Sequence, residues 1–141
     1  MTDFMDTPTV TLAGARRAID AAVAHAAALG VAIVVTVVDA AGHVKASARM
    51  DGAPLFSVEI SRKKAWTAAA ADASTAAMWQ DVEGSAVLLH GVQPAVEDFL
   101  AIGGGTPLRS SEVVAGAVGV SGATAEQDQE IADAGAAALS G

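Results

Sequence analysis

The chain has 141 residues, 52% hydrophobic and 17% charged, with eight basic and sixteen acidic side chains for a net charge of −8. That is the size of one domain, 1–141, with no basic stripe for a nucleic acid, no run of about 18 apolar residues for a membrane span, and no charged-then-apolar leader, so a cytoplasmic location is expected. Cysteine is absent, which excludes disulfides, thiolate metal sites and a cysteine nucleophile.

In chain order, Thr11 predicts a helix cap, and Leu12, Ile19, Val23 and Ala26 recur at helical spacing until Gly30 stops the helix near Leu29. Val31 to Val38 is a β-branched run, read as a largely buried strand. The turn Asp39-Ala40-Ala41-Gly42 and a second strand, His43 to Met50, complete a hairpin. Asp51-Gly52 breaks the strand, and Pro54 suits the first turn of a helix running to about Asp72. Residues 74–98 read as short helical turns and loop. Phe99 to Ile102 reads as a short strand and Gly103 to Pro107 as a tight turn. Strands at Leu108–Ser110 and Val113–Val120 follow. Thr124 with Gln127 three residues on is a capping box for a last helix ending near Leu139.

The order α-β-β-α-β-β-β-α has too few crossovers for a doubly wound parallel sheet. It predicts an α/β fold of the α+β kind, a mainly antiparallel five-stranded sheet flanked by helices. Much of the apolar content is alanine, which buries little area, so apolar surface left after folding is expected to be covered by sister subunits in a homo-oligomer.

Six segments, in order, resemble one family. They are Val38-Asp39-Ala40-Ala41-Gly42, Arg49-Met50-Asp51, Ile60-Ser61 with Lys64-Ala65, Gly103-Gly104-Gly105-Thr106-Pro107, Gly116-Ala117-Val118-Gly119-Val120-Ser121-Gly122 and Glu126-Gln127-Asp128. Together, over roughly residues 9–139, they resemble the GlcG/HbpS (DUF336, "haem-degrading") family, which includes the C-terminal domain of PduO-type adenosyltransferases. The resemblance implies a profilin-like fold, oligomers, and binding of haem or a related tetrapyrrole in a pocket near a subunit interface. Haem iron takes His, Met, Cys or Tyr ligands. Here His25 lies off the apolar stripe of its helix and is expected to be solvated, His43 adjoins a turn, and His90 is expected to be the most sheltered of the three, which leaves His25 and His90 as the candidate ligands.

The matched motifs also suggest a small enzyme acting on a carboxylated metabolite, of isomerase, hydrolase or dehalogenase type. Arg49 with Asp51 is either a plain ion pair or an anion clamp, since a guanidinium fork matches a carboxylate. Lys64, four residues after Ile60, faces inward, either to pair with a carboxylate or to act as a desolvated base. Asp128 in the first turn of its helix either complements the helix N-terminus or serves as a general base. The Gly104 and Gly105 amides, and Ser121 before the last helix, are either tight-turn elements or donors to an anionic ligand. No firm metal site follows from the spacing of His, Asp and Glu.

Overall fold

In the computed structural model, which describes residues 2–139, Thr11 caps helix α1 (Leu12–Leu29), its Oγ1 accepting the Gly14 N–H at 3.0 Å. The β-branched run follows as β1 (Val34–Asp39), with β2 (Val44–Arg49) returning beside it. Asp39 builds the turn between them, its Oδ1 accepting the N–H groups of Ala41 and His43, each at 3.0 Å. Next come helix α2 (Ser57–Ala71), helix α3 (Thr75–Glu83), a π-helical turn (Leu88–Val92) and the single turn α4 (Gln93–Ala95). A second hairpin, β3 (Gly105–Ser110) and β4 (Val113–Ser121), leads to helix α5 (Ala125–Ala137), which opens on the Thr124/Gln127 capping box.

The four strands form one antiparallel sheet in the order β2-β1-β4-β3. Both central strands are covered on both faces, which is why β1 reads as a continuous β-branched run instead of an alternating one. Val35, Val37, Val118 and Val120 point to the face covered by α1 and α5, among Ala18, Ile19, Ala22, Ile131 and Ala132. Val38 and Ala117 point the other way, onto Ala65 and Ala68 of α2. Small residues let α2 come very close to the sheet. A Cβ placed on Gly119 of β4 would lie 1.9 Å from the Ser61 carbonyl oxygen. Hydroxyls fill the remaining gap: Thr36 Oγ1 bonds Ser61 Oγ at 2.8 Å and Ser47 Oγ at 2.9 Å. Among the described residues, no helix is long and apolar enough to cross a membrane.

Two sequence expectations are corrected. The sheet has four strands, not five, because Phe99–Ile102 pairs with no strand. Its backbone is held by a helix side chain instead: Thr67 Oγ1 donates to Asp98 O at 3.1 Å and accepts from Leu100 N at 2.8 Å. The segment expected as a turn through Pro107 is already strand from Gly105 onward. Proline is tolerated there because β3 is an edge strand with one side free of ladder bonds. The ambiguous stretch 74–98 contains one full helix, α3, capped by Ser74 Oγ accepting Ala77 N at 3.2 Å.

Arg62 ties the Asp98 loop to α2, with Nη2 bonded to Asp98 Oδ1 at 2.9 Å and also to Glu59. The Arg62 hydrogen bond holds the Asp98 carboxyl below its ordinary pKa. A carboxylate with a lowered folded pKa adds stability above its unfolded pKa and loses it as pH falls through the folded value. Arg62→Ala is therefore expected to cost about 0.5 kcal/mol at neutral pH. That cost should fall away as pH drops below the ordinary carboxylate range and through the lowered folded pKa of Asp98, as measured by urea unfolding across pH.

Candidate functional site

Several of the matched motifs converge at one end of the sheet, while the Asp39–Gly42 turn lies beside Gly116 at the other. Arg49, Val34 and Ser121 stand in one register row across β2, β1 and β4, and the three-glycine turn enters β3 at the same end. Behind this row lies a buried ion pair. Lys64 of α2 and Asp128 of α5 are each 3% exposed, and Nζ lies 3.0 Å from Asp128 Oδ2. Lys64 also donates to the Val120 carbonyl of β4 at 3.0 Å, and Asp128 Oδ1 accepts the Ala123 N–H at 3.0 Å. One charge pair thus joins α2, β4 and the start of α5. Burial holds the Lys64 pKa below its ordinary value, opposed by the charge and hydrogen bond of Asp128.

The glycine turn fits around this pair. A Cβ on Gly104 would lie 2.4 Å from Val120 O and 2.8 Å from Lys64 Nζ, and one on Gly105 would lie 2.5 Å from Lys64 O. Gly103 in turn abuts the Ala125 carbonyl of α5, 2.9 Å from where its Cβ would be. Each glycine makes room for a different neighbour, which explains three in succession. Gly104 also has φ 134°, a conformation that side chains rarely adopt.

The expected oxyanion donors are already engaged. Gly104 N donates to Gln129 Oε1 at 2.9 Å and Gly105 N to Thr75 Oγ1 at 2.8 Å. Ser121 is buried, its Oγ donating to Ser57 Oγ at 3.0 Å. Lys64 and Asp128 satisfy each other within the fold and form a buried clasp between α2, β4 and α5. Arg49 and Asp51 are exposed at the end of β2 and share no contact with that clasp. The structure therefore divides the expected constellation into an enclosed pair and an exposed pair. Gln129, which anchors the glycine turn at three points, was not singled out from the sequence. Its only signal there is its place one residue after Asp128.

Two of the three histidines depart from expectation. His90, expected to be sheltered, is exposed, as is His43. His25 is half-buried, and its Nε2 is buried with no hydrogen-bond partner among the described residues. Glu130 Oε2 lies 3.6 Å from that atom, near enough for attraction to a protonated imidazole and too far for a hydrogen bond. Glu130 also lines an open groove of about 510 Å³ between α3 and α5, together with Trp79, Gly103, Glu126, Gln129 and Asp133. No group of three or more His, Asp or Glu side chains with metal-binding geometry occurs among the described residues.

This architecture recurs in known proteins. The family model for haem-degrading, HbpS-like proteins matches residues 10–137. An uncharacterized 15.0 kDa protein from the dhaT-dhaS intergenic region of Citrobacter freundii is 39% identical over 126 residues, covering 89% of this chain and 88% of that protein. The crystal structure of Klebsiella pneumoniae ORFY, a DUF336 protein, superimposes with a TM-score of 0.92 at 36% identity, over 98% of this chain and 95% of that one. A haem complex of PduOC superimposes with a TM-score of 0.85 at 34% identity, over 93% and 95% of the two chains. The chain belongs to the HbpS-like family of haem-degrading proteins.

Proposed function

We propose that this protein binds haem or a related tetrapyrrole, with His25 as the residue that would hold the iron and a second copy of the chain closing the site. The unpaired Nε2 of His25 carries this reading. A buried imidazole nitrogen without a partner costs free energy, and coordination to haem iron satisfies it. The 3.6 Å gap to Glu130 means that ligation breaks no hydrogen bond there. About a third of the His25 side chain is exposed, but Nε2 itself is covered, so ligation requires the neighbouring side chains to move aside. The haem complex of PduOC supports the same reading from a relative. When bound, haem supplies the iron chemistry, and the chain supplies the imidazole and its shelter. The α3/α5 groove is a poorer fit, because Glu126 and Asp133 add to the Glu130 that both places share and oppose the carboxylates of a porphyrin. The test is titration of the purified chain with hemin. A saturable shift of the Soret band at low micromolar protein is expected, and a spectrum that stays that of free hemin overturns the proposal.

Self-association has its own support. Leu55, Phe56 and Val58, at the start of α2, are 78%, 67% and 41% exposed. Large apolar side chains clustered in water mark an interaction surface. Arg49 and Asp51 precede the patch with opposite charges, so a two-fold related copy can oppose each with the other. Sedimentation velocity is expected to give a species larger than the 13.9 kDa chain, and a smaller one for the Leu55→Asp/Phe56→Asp variant. A native chain that sediments as a monomer contradicts this.

A further inference from the structure

A second cavity, of about 210 Å³, lies away from the Lys64–Asp128 clasp, between the segment before α1, the first turns of α1 and the edge strand β3. Its polar lining includes Arg17 and Arg109 with the hydroxyls of Thr9, Thr11 and Ser110. Its apolar floor includes Leu108 and Leu139. In a chain with twice as many acidic as basic side chains, this cavity takes two of the eight basic ones and, among the described residues, no carboxylate.

We infer that this cavity is a binding site for a small organic carboxylate, held by the Arg17 and Arg109 guanidiniums with its carbon skeleton against Leu108 and Leu139. Arg109 is fixed in place by Asp72, with Nε donating to Asp72 Oδ1 at 2.8 Å and Nη2 to Asp72 O at 3.2 Å. Its Nη1 has no partner among the described residues, which leaves N–H donors on a pre-positioned fork. The Arg17 head folds back toward the opening of α1, with Nη2 3.9 Å from where a Gly14 Cβ would stand. Arg17 makes no ion pair among the described residues. Thr11 uses its oxygen to accept Gly14 N, so its hydroxyl proton remains available to a ligand. The first turn of α1 contains no acidic residue to compete for these donors.

Size and polarity set the ligand class. The volume is below the about 300 Å³ at which drug-sized sites begin, so it suits an acid of a few carbons. A purely inorganic anion would leave the Leu108 and Leu139 floor unused. The carboxylated ligand expected at Arg49 would here be held by a different pair of arginines. The site does not depend on His25 or on haem.

The test is isothermal titration of the full chain at low salt with benzoate and butyrate. Benzamide and butylammonium serve as neutral and cationic counterparts, and inorganic phosphate as a separate arm. Saturable 1:1 binding of a carboxylate is expected, absent for its counterparts and weakened at least about tenfold in Arg17→Ala. Arg17→Lys should restore part of the affinity, and Arg16→Ala, an exposed neighbour outside the cavity, should leave it unchanged. Arg17 is itself exposed, so its removal should leave the melting temperature of the unliganded chain in place. Equal binding of benzoate and benzamide, binding of phosphate alone, no binding, or full affinity in Arg17→Ala each overturns the inference.

Discussion

Asp128→Ala is expected to destabilise the protein by about 3–5 kcal/mol, because it leaves the Lys64 ammonium buried with only a carbonyl for company. At the usual scale for a domain of this length, the melting temperature falls by about 10–15 °C. The Ala123 N–H loses its acceptor in the same step. Replacing both partners, as Lys64→Met/Asp128→Leu, should recover much of the loss, since a packed apolar pair needs no charge compensation. The pH dependence has a fixed sign. The folded chain releases the Lys64 proton at a lower pH than the unfolded chain does. Stability therefore rises with pH between the lowered folded pKa and about 10.4. Without Asp128 the lysine loses the two influences that raise its pKa, so this rise should start at lower pH, and the deficit should shrink on the alkaline side. Thermal and urea unfolding from neutral to alkaline pH measure both effects. A loss under about 1 kcal/mol at neutral pH is the value for an exposed pair and contradicts the clasp.

Gly119→Ala is the second large effect. The added Cβ would sit 1.9 Å from Ser61 O and 2.6 Å from Ala65 N, both backbone atoms of α2. Backbone cannot rotate aside as a side chain can, so α2 must lift from the sheet. The expected cost is about 3 kcal/mol. Separation also strains the Thr36–Ser61 and Ser57–Ser121 hydroxyl pairs. Gly84→Ala, with open space around its Cβ, is the matched control and should leave the melting temperature nearly unchanged. Equal melting temperatures for Gly119→Ala and the native chain contradict the close approach of α2.

What could be read in the residues was what local chemistry determines. Thr11, Thr124 and Gln127 announce helix starts because a cap is made within three residues. The Asp39 turn is legible for the same reason. The inward position of Lys64 followed from helical spacing, but its pairing with Asp128 did not, since 64 residues separate them in the chain. The three-glycine turn looked like a ligand loop because its amides seemed free. Its true neighbours, Thr75, Gln129 and Lys64, are brought in by three different helices. Phe99–Ile102 has strand composition, yet a threonine of α2, 33 residues before Leu100, bonds its backbone instead. His25 and His90 exchanged places for a similar reason. The apolar run before His90 lies in an exposed helical turn, whereas His25 is sheltered in the tertiary structure beside Glu130 of α5.

The family resemblance stood on turns and strand ends, and those residues turn out to hold α2, α5 and the sheet together. That explains why the motifs specify a fold more directly than a ligand. The haem proposal rests instead on one imidazole nitrogen outside them. The most direct test is hemin titration of His25→Ala beside the native chain, with thermal unfolding of both. The predicted result is a lost Soret shift, or affinity reduced at least about tenfold, at an unchanged melting temperature. A His25→Ala protein that keeps the native spectrum and affinity contradicts the proposed ligand.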